Sequence, residues 1–419
     1  MNLFLNETDI DSEKYFVVTY NVESDKNLRD AAWNIAIGQS VGNPNVRNRW
    51  ETEDLFKNHS CIILGDEGDL KAKKSGQVKI AFPVVNTDWE TDGISHLLCQ
   101  VMGGHVDIDL VKKCRAIKID FPQSVLKHFM GPKFGISGMR AFTGQYNKPL
   151  FGAIIKPKIG ISPETLLDMV KELVDGGVDF IKEDEIMSNP AFCPLDKRVE
   201  LISNYLASQS KKVVFCHTIN CDPHVLENRV RRIHSLGGNG VHINVWSGYG
   251  SYNSIRKLDL PIYIHFQSSG AKVVTNVNHQ FSISWPVVCQ LATMMGVDTI
   301  QTGMVGGYSN DNPEEILECI KILRSGNTLP ALSCGLHPGL IDKITSLVGN
   351  DYLGNAGGAV HGHPNGTLYG ARAMRQAIDK NYGQEYEQAI AKWGKVEPEF
   401  NIKQLYETVE YQLNSRGSL

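Results

Sequence analysis

The sequence predicts an α/β protein: a C-terminal (β/α)8 barrel with C-terminal helices over residues 146–419, preceded by a ferredoxin-like α+β domain over residues 1–145. Three observations carry that expectation. Beyond Pro149, eight short β-rich runs alternate with amphipathic helical stretches, which is the arithmetic of a closed parallel barrel. The residues that end those runs are polar, small or charged, as the functional rim of such a barrel requires. Ahead of Pro149 the pattern is mixed, with no regular strand–helix rhythm.

In chain order, Tyr15 to Tyr20 and Val78 to Phe82 read as strands, and Leu28 to Gly38 and His96 to Met102 as helical stretches. Gly65 to Gly76, rich in Gly, Asp and Lys, reads as a loop or hairpin tip. GPKFGISGMR, Gly131 to Arg140, reads as a connector that approaches something closely, and a simple turn there would leave Lys133 unexplained. The eight β-rich runs follow at 151–156, 178–182, 213–218, 241–245, 262–266, 298–303, 330–335 and 352–358. Helices are expected between them: Pro163 to Asp175 behind a Ser162 cap, Leu195 to Gln209, Val225 to Leu236, Trp285 to Met295, Pro313 to Arg324 and Leu340 to Val348. An open doubly wound sheet would need fewer strands and usually a glycine fingerprint after its first, which is missing. From about residue 370 the chain reads as helices packed on the barrel, with a polar tail ending at Leu419.

With 42% hydrophobic and 21% charged residues and a net charge of −4, the chain gives no electrostatic reason to expect nucleic acid or an anionic membrane as partner. An anionic substrate must be met by local positive groups. Nine cysteines without a CxxC pair indicate neither a disulfide framework nor a zinc site, and reduced thiols in the cytoplasm fit best. The N-terminus lacks the basic start and apolar run of a signal peptide, and no segment approaches the ~20 apolar residues of a membrane span.

The chemistry is expected just after the strands. VDFIKEDE, Val178 to Glu185, sets Lys182, Asp184 and Glu185 at a strand end, where an oxygen-loving divalent cation can be held. Alone, KEDE reads more simply as a solvated charged loop; what overturns that reading is the rest of the chain. KPK places Lys156 and Lys158 on one face of an extended tripeptide, one to meet an enolate and the other to act as acid or base, the plain alternative being an exposed basic pair. Ser333 with Gly335, Thr302 with Gly303, and Gly357 with Gly358 resemble phosphate cradles, since glycine lets backbone N–H groups approach an anion, although any one glycine is usually turn chemistry. HGHPNG, 361–366, has metal-like histidine spacing but reads as a structural loop, and Cys193, Cys216 and Cys334 as buried small residues.

Taken together, IKPKIGIS, GGVDFIKEDE, the TGMVGG loop, SCGLHPG and NAGGAVHGHPNG resemble the barrel motifs of ribulose-1,5-bisphosphate carboxylase large chains, over about residues 14 to 390. The resemblance implies Mg2+ held by Asp184, Glu185 and a Lys182 carbamylated by CO2, which would turn a repelling amine into a third hard oxygen ligand. It also implies a homodimer or higher homo-oligomer with the site between subunits. Lys156 and Lys158 would lie near the enolised carbons, with His265, kept in HFQSSG, as a further catalytic candidate. Ser333, Gly335, Gly357 and Gly358 would surround the phosphate and hydroxyl groups of a phosphorylated small-molecule substrate, with Lys133 as an additional candidate for binding it.

The departures shape the functional expectation. The loop after the sixth strand reads GMVGGYSND, without the lysine that holds CO2 in carboxylases, and GQSVGN stands where its partner acid belongs. Phe266 replaces a phosphate-binding arginine, and Ser269 and Ser284 replace histidines. The chain therefore resembles the RuBisCO-like (form IV) proteins, and a monophosphate substrate without carboxylation is expected. The reaction implied is Mg2+-dependent enolate chemistry, isomerisation, tautomerisation or decarboxylation, on a phosphorylated keto-sugar derivative, with His105 as a lesser candidate base. The alternatives are the 2,3-diketo-5-methylthiopentyl-1-phosphate enolase of methionine salvage, whose N-terminal lysine base has no counterpart in MGGHVD, and a catalytically silent scaffold. A true carboxylase is the remaining alternative.

Overall fold

The computed structural model of the chain describes residues 3–308 and 311–396; the polar tail expected at the C-terminus lies outside them. The described residues form two compact units, one from the stretches before residue 131 and over 270–294, the other from 131–269 and the stretches after 294.

The first unit begins with β1 (Phe4–Leu5), β2 (Tyr15–Ser24), β3 (Ile62–Leu64), β4 (Ser75–Pro83) and β5 (Val111–Asp120). β2 pairs antiparallel with both β4 and β5, and its alternating burial sends Phe16, Val18, Tyr20 and Val22 into the core. The stretch expected to be a hairpin tip holds a short helix, Glu67–Ala72, because Asp66 caps it by accepting from the Asp69 N–H and its Leu70 is buried.

In the second unit the chain lays down β6 (Leu150–Ile154), β7 (Phe180–Lys182), β8 (Val214–Thr218), β9 (Gly240–Asn244) and β10 (Tyr263–Gln267). It then returns to the first unit, where β11 (Phe281–Ile283) pairs with β5 and the helix Trp285–Met294 follows. β12 (Thr299–Gly303), β13 (Leu329–Leu332) and β14 (Leu353–Ala356) complete the second unit. The first sheet runs β1-β3-β4-β2-β5-β11, while β6–β10 and β12–β14 close into an eight-stranded parallel barrel. All eight expected barrel runs are strands. Two of their helices start at side-chain caps: Ser162, the cap the sequence marks, accepts from the Thr165 N–H ahead of Pro163–Asp175, and Asn312 caps Pro313–Ser325.

The N-terminal end of the barrel is filled by apolar side chains, among them Leu150, Phe180, Val214, Tyr263, Leu329 and Leu353, and Met139 packs with them. The GPKFGI connector closes this end. Buried Asp298 accepts from the Phe134 and Gly135 N–H groups at 2.8 and 3.0 Å, and its other oxygen takes Arg256 at 2.6 Å. The close approach falls at Gly135, whose φ is +54° and where an added Cβ would lie 1.9 Å from the Asn327 carbonyl oxygen. Gly135→Ala is accordingly expected to cost about 3 kcal/mol, from left-handed strain plus overpacking against backbone, read as a lower melting temperature.

Candidate active site

Strand direction puts the ends of β6, β7, β10, β12, β13 and β14 at one rim, and a cavity of about 350 Å³ opens there. Its wall carries Lys156, Lys158, Lys182, Asp184, Glu185 and, on the far strands, Ser333, Gly335, Gly357 and Gly358. The KPK and KEDE motifs thus share one cavity with the glycines.

Lys182, the last residue of β7, is 1% exposed and donates to the Glu183 carbonyl at 3.2 Å. Burial pulls its pKa down, against the opposing attraction of Glu185 and Asp184. A buried amine with lowered pKa is the form of lysine that can add CO2. Glu185 stands 3.8 Å from the Lys182 Nζ; burial would raise its carboxyl, but Lys182, a Ser269 hydrogen bond and Lys158 hold it below the usual range. Lys156 donates to Asp184 Oδ2 at 2.8 Å, and Lys158 stands 3.9 Å from the same oxygen. The second Asp184 oxygen is buried without a partner.

These groups fit a hard cation. Two carboxylates converge, and one keeps an unused buried oxygen. Among the described residues no three His, Cys, Asp or Glu side chains form a metal cluster; the group beside the two carboxylates is Lys182, 3.8 Å from Glu185.

The backbone here is fixed from behind. Glu183 points away from the cavity, where Arg198 donates to its two oxygens at 2.7 and 3.1 Å, His217 Nδ1 lies 3.1 Å from it and the Thr218 N–H donates at 2.8 Å. Arg198 also reaches the Cys193 and Ser188 carbonyls. Alternation along the chain then turns Lys182 and Asp184 inward.

At the opposite wall Gly335 has φ +115°, with Tyr308 and Gly307 3.3–3.4 Å from where a Cβ would stand, so only glycine serves there. A Cβ on Gly357 would lie 3.5 Å from the Lys156 side chain, whereas Gly358 faces open space. The loop after β12 has no lysine between Gly303 and Pro313. Tyr308 of that loop lines the cavity, and its N–H donates to the Cys334 carbonyl.

The comparisons with known proteins bear on this arrangement. The ribulose bisphosphate carboxylase large-chain catalytic domain matches residues 135–327 and 321–404. The chain belongs to the ribulose bisphosphate carboxylase large-chain family. Relatives include the ribulose bisphosphate carboxylase of Pyrococcus furiosus, 30% identical over 395 residues, 88% of this chain and 91% of that one. The 2,3-diketo-5-methylthiopentyl-1-phosphate enolase of Geobacillus kaustophilus is 28% identical over 416 residues, 91% of this chain and 99% of that protein. In three dimensions the chain is similar to the octameric carboxylase of Pyrococcus horikoshii solved with sulfate, with TM-score 0.83, 27% identity and coverage of 99% and 96%.

Two expected site residues of this family member lie elsewhere. Lys133 is tied to Asp259 at 2.6 Å and to its carbonyl at 2.7 Å, in the segment before β10, hence at the barrel end opposite the cavity. A lysine in a glycine-rich connector looked like an anion ligand, but the connector closes the wrong end of the barrel. His265 is fully buried inside the barrel against Phe180 and His242 and is not part of the cavity wall; burial drives its pKa well below the usual histidine range.

Among the cavity residues not singled out from the sequence are three amides, Gln267, Gln301 and Asn355. The signal was present, since Gln267 follows His265 by two on one strand, and Asn355 precedes Gly357 by two.

Proposed function

We propose that this protein is a RuBisCO-like, Mg2+-dependent enzyme that forms an enolate on a phosphorylated keto-sugar derivative, by isomerisation, tautomerisation or decarboxylation, and does not fix CO2. The observation that carries the reading is the convergence of Lys156 and Lys158 on Asp184, beside Glu185 and the buried Lys182, in a cavity whose β12 loop has no lysine. Asp184, Glu185 and a carbamylated Lys182 would hold the ion. Bound there, Mg2+ supplies a Lewis acid for the substrate carbonyl oxygen.

The chain's own groups do the rest. Lys156, fixed by Asp184, offsets charge growing on the enolate oxygen, and Lys158 is placed to move the proton at the adjacent carbon. Ser333, Gly335, Gly357 and Gly358 receive the phosphate through hydroxyl and backbone N–H groups. The octameric state of the Pyrococcus horikoshii relative supports a homo-oligomer here. Among the described residues no helix is long and apolar enough to cross a membrane, in keeping with a cytoplasmic enzyme.

A second reading, the 2,3-diketo-5-methylthiopentyl-1-phosphate enolase reaction, is favoured by the near-complete coverage of the Geobacillus protein. It would place an apolar methylthio end against the amides of this cavity.

The test is proton exchange in D2O followed by NMR, with Mg2+ and bicarbonate, across ketose monophosphates and β-keto sugar-acid phosphates. Exchange or decarboxylation with a member of that panel is expected, and Lys156→Met should slow it about a hundredfold or more. Calorimetry showing no Mg2+ binding in the presence of CO2, with no exchange on any compound, would leave a silent scaffold.

A further inference from the structure

Gln267, Gln301 and Asn355 project from β10, β12 and β14 into the cavity and are 2%, 7% and 1% exposed. Buried amides of this kind normally have every polar atom matched. Here Gln267 Oε1, Gln301 Oε1 and both amide atoms of Asn355 have no hydrogen-bond partner.

The orientation of the first amide is set by chemistry. Gln267 Nε2 donates to Glu185 Oε2 at 3.1 Å and to Ser269 Oγ at 2.6 Å. An ionised carboxylate can only accept, so the nitrogen must face Glu185 and the oxygen is left over. The His265 imidazole is close enough to feel this amide but completes no hydrogen bond with it. Gln301 spends its nitrogen on the weak acceptor Cys334 Sγ at 3.6 Å. Gly152 leaves the room that Asn355 occupies, since a Cβ there would meet Asn355 Oδ1 at 2.8 Å.

Three of the four unmatched atoms are carbonyl oxygens, which call for donors, and a phosphate dianion offers none; the fourth, Asn355 Nδ2, calls for an acceptor, and a hydroxyl is both donor and acceptor and so can serve all four. No arginine lines the cavity among the described residues, and the amides themselves are neutral. We infer that this amide group is a hydroxyl-recognition subsite, which selects a substrate whose end remote from its single phosphate carries free hydroxyls. The inference rests on the proposed reading of the cavity as an enolising site for a phosphorylated keto compound. It narrows the substrate class to polyhydroxy ketose monophosphates and their oxidised derivatives, and it disfavours bisphosphates and an alkylthio end alike.

The test is calorimetric binding to the full chain with Mg2+ and bicarbonate, using a five-carbon ketose 1-phosphate, its terminal deoxy analogue and the corresponding 1,5-bisphosphate. The hydroxylated monophosphate is expected to bind at least about tenfold tighter than either of the others. In Gln301→Leu, and independently in Gln267→Met, the preference over the deoxy analogue should fall to about twofold or less. Equal or tighter binding of the deoxy compound or of the bisphosphate, or no binding by any of the three, would overturn the assignment. Proton exchange on the same samples separates the two ideas. A hydroxyl preference without exchange on any ketose keeps the subsite and removes the enolising function, whereas exchange without the preference removes the subsite alone.

Discussion

Lys182→Met is expected to abolish Mg2+- and CO2-dependent proton exchange, by about a thousandfold or more, and to leave the fold intact. Lys182 sits 1% exposed at the end of β7, where burial lowers its pKa and, among the described residues, the Glu183 carbonyl alone accepts from it within hydrogen-bond distance. An amine held this way contributes little to stability, because its desolvation works against the attraction of Glu185 at 3.8 Å. Methionine fills nearly the same volume without a charge to desolvate, so the melting temperature should stay level or rise. It cannot carry a carbamate, so Mg2+ affinity should fall to what two carboxylates provide. Calorimetry with and without bicarbonate reads the first effect, and D2O exchange the second. A variant that still exchanges protons at the wild-type rate would remove Lys182 from the chemistry and with it the proposed ligand set.

The barrel was legible because strand and helix announce themselves locally. Ser162 caps its helix where the sequence places a cap, and the β-rich runs each became a strand of the closed sheet. The metal candidates were legible for a related reason: Lys182, Asp184 and Glu185 are neighbours in the chain, so finding the strand end finds the group. Lys133 and His265 went astray because their surroundings are set by residues distant in sequence. Asp259 claims Lys133 from the segment before β10, and His265 faces inward one alternation short of the rim that Gln267 reaches. The amides escaped notice because a glutamine or asparagine carries no charge or motif; only unmatched hydrogen-bonding atoms in three dimensions set them apart.

The other large effect belongs to Arg198, a residue outside the cavity. Both Arg198 and Glu183 are essentially fully buried, with the guanidinium bonded to both carboxylate oxygens. Burial alone would raise the Glu183 carboxyl, but Arg198 and His217 overcome it and bring its pKa down to about 2. The pKa of His217 is itself lowered by burial against the pull of Glu183, and Arg198 is the larger of the two attractions on the carboxylate. Arg198→Met would strand a buried carboxylate and should cost about 3–5 kcal/mol at pH 7. Because the folded-state pKa lies below the unfolded value, the stabilisation is complete above about pH 4.5 and is lost as pH falls through about 2. The gap in melting temperature between wild type and Arg198→Met should therefore narrow on acidification across that window. In Glu183→Gln with Arg198→Met the stranded charge is gone, and part of the loss should return. Since Glu183 lies between Lys182 and Asp184, Arg198→Met should also weaken Mg2+ binding at temperatures where the variant is still folded. Unchanged Mg2+ affinity there would show that the cavity ligands hold their places without this anchor.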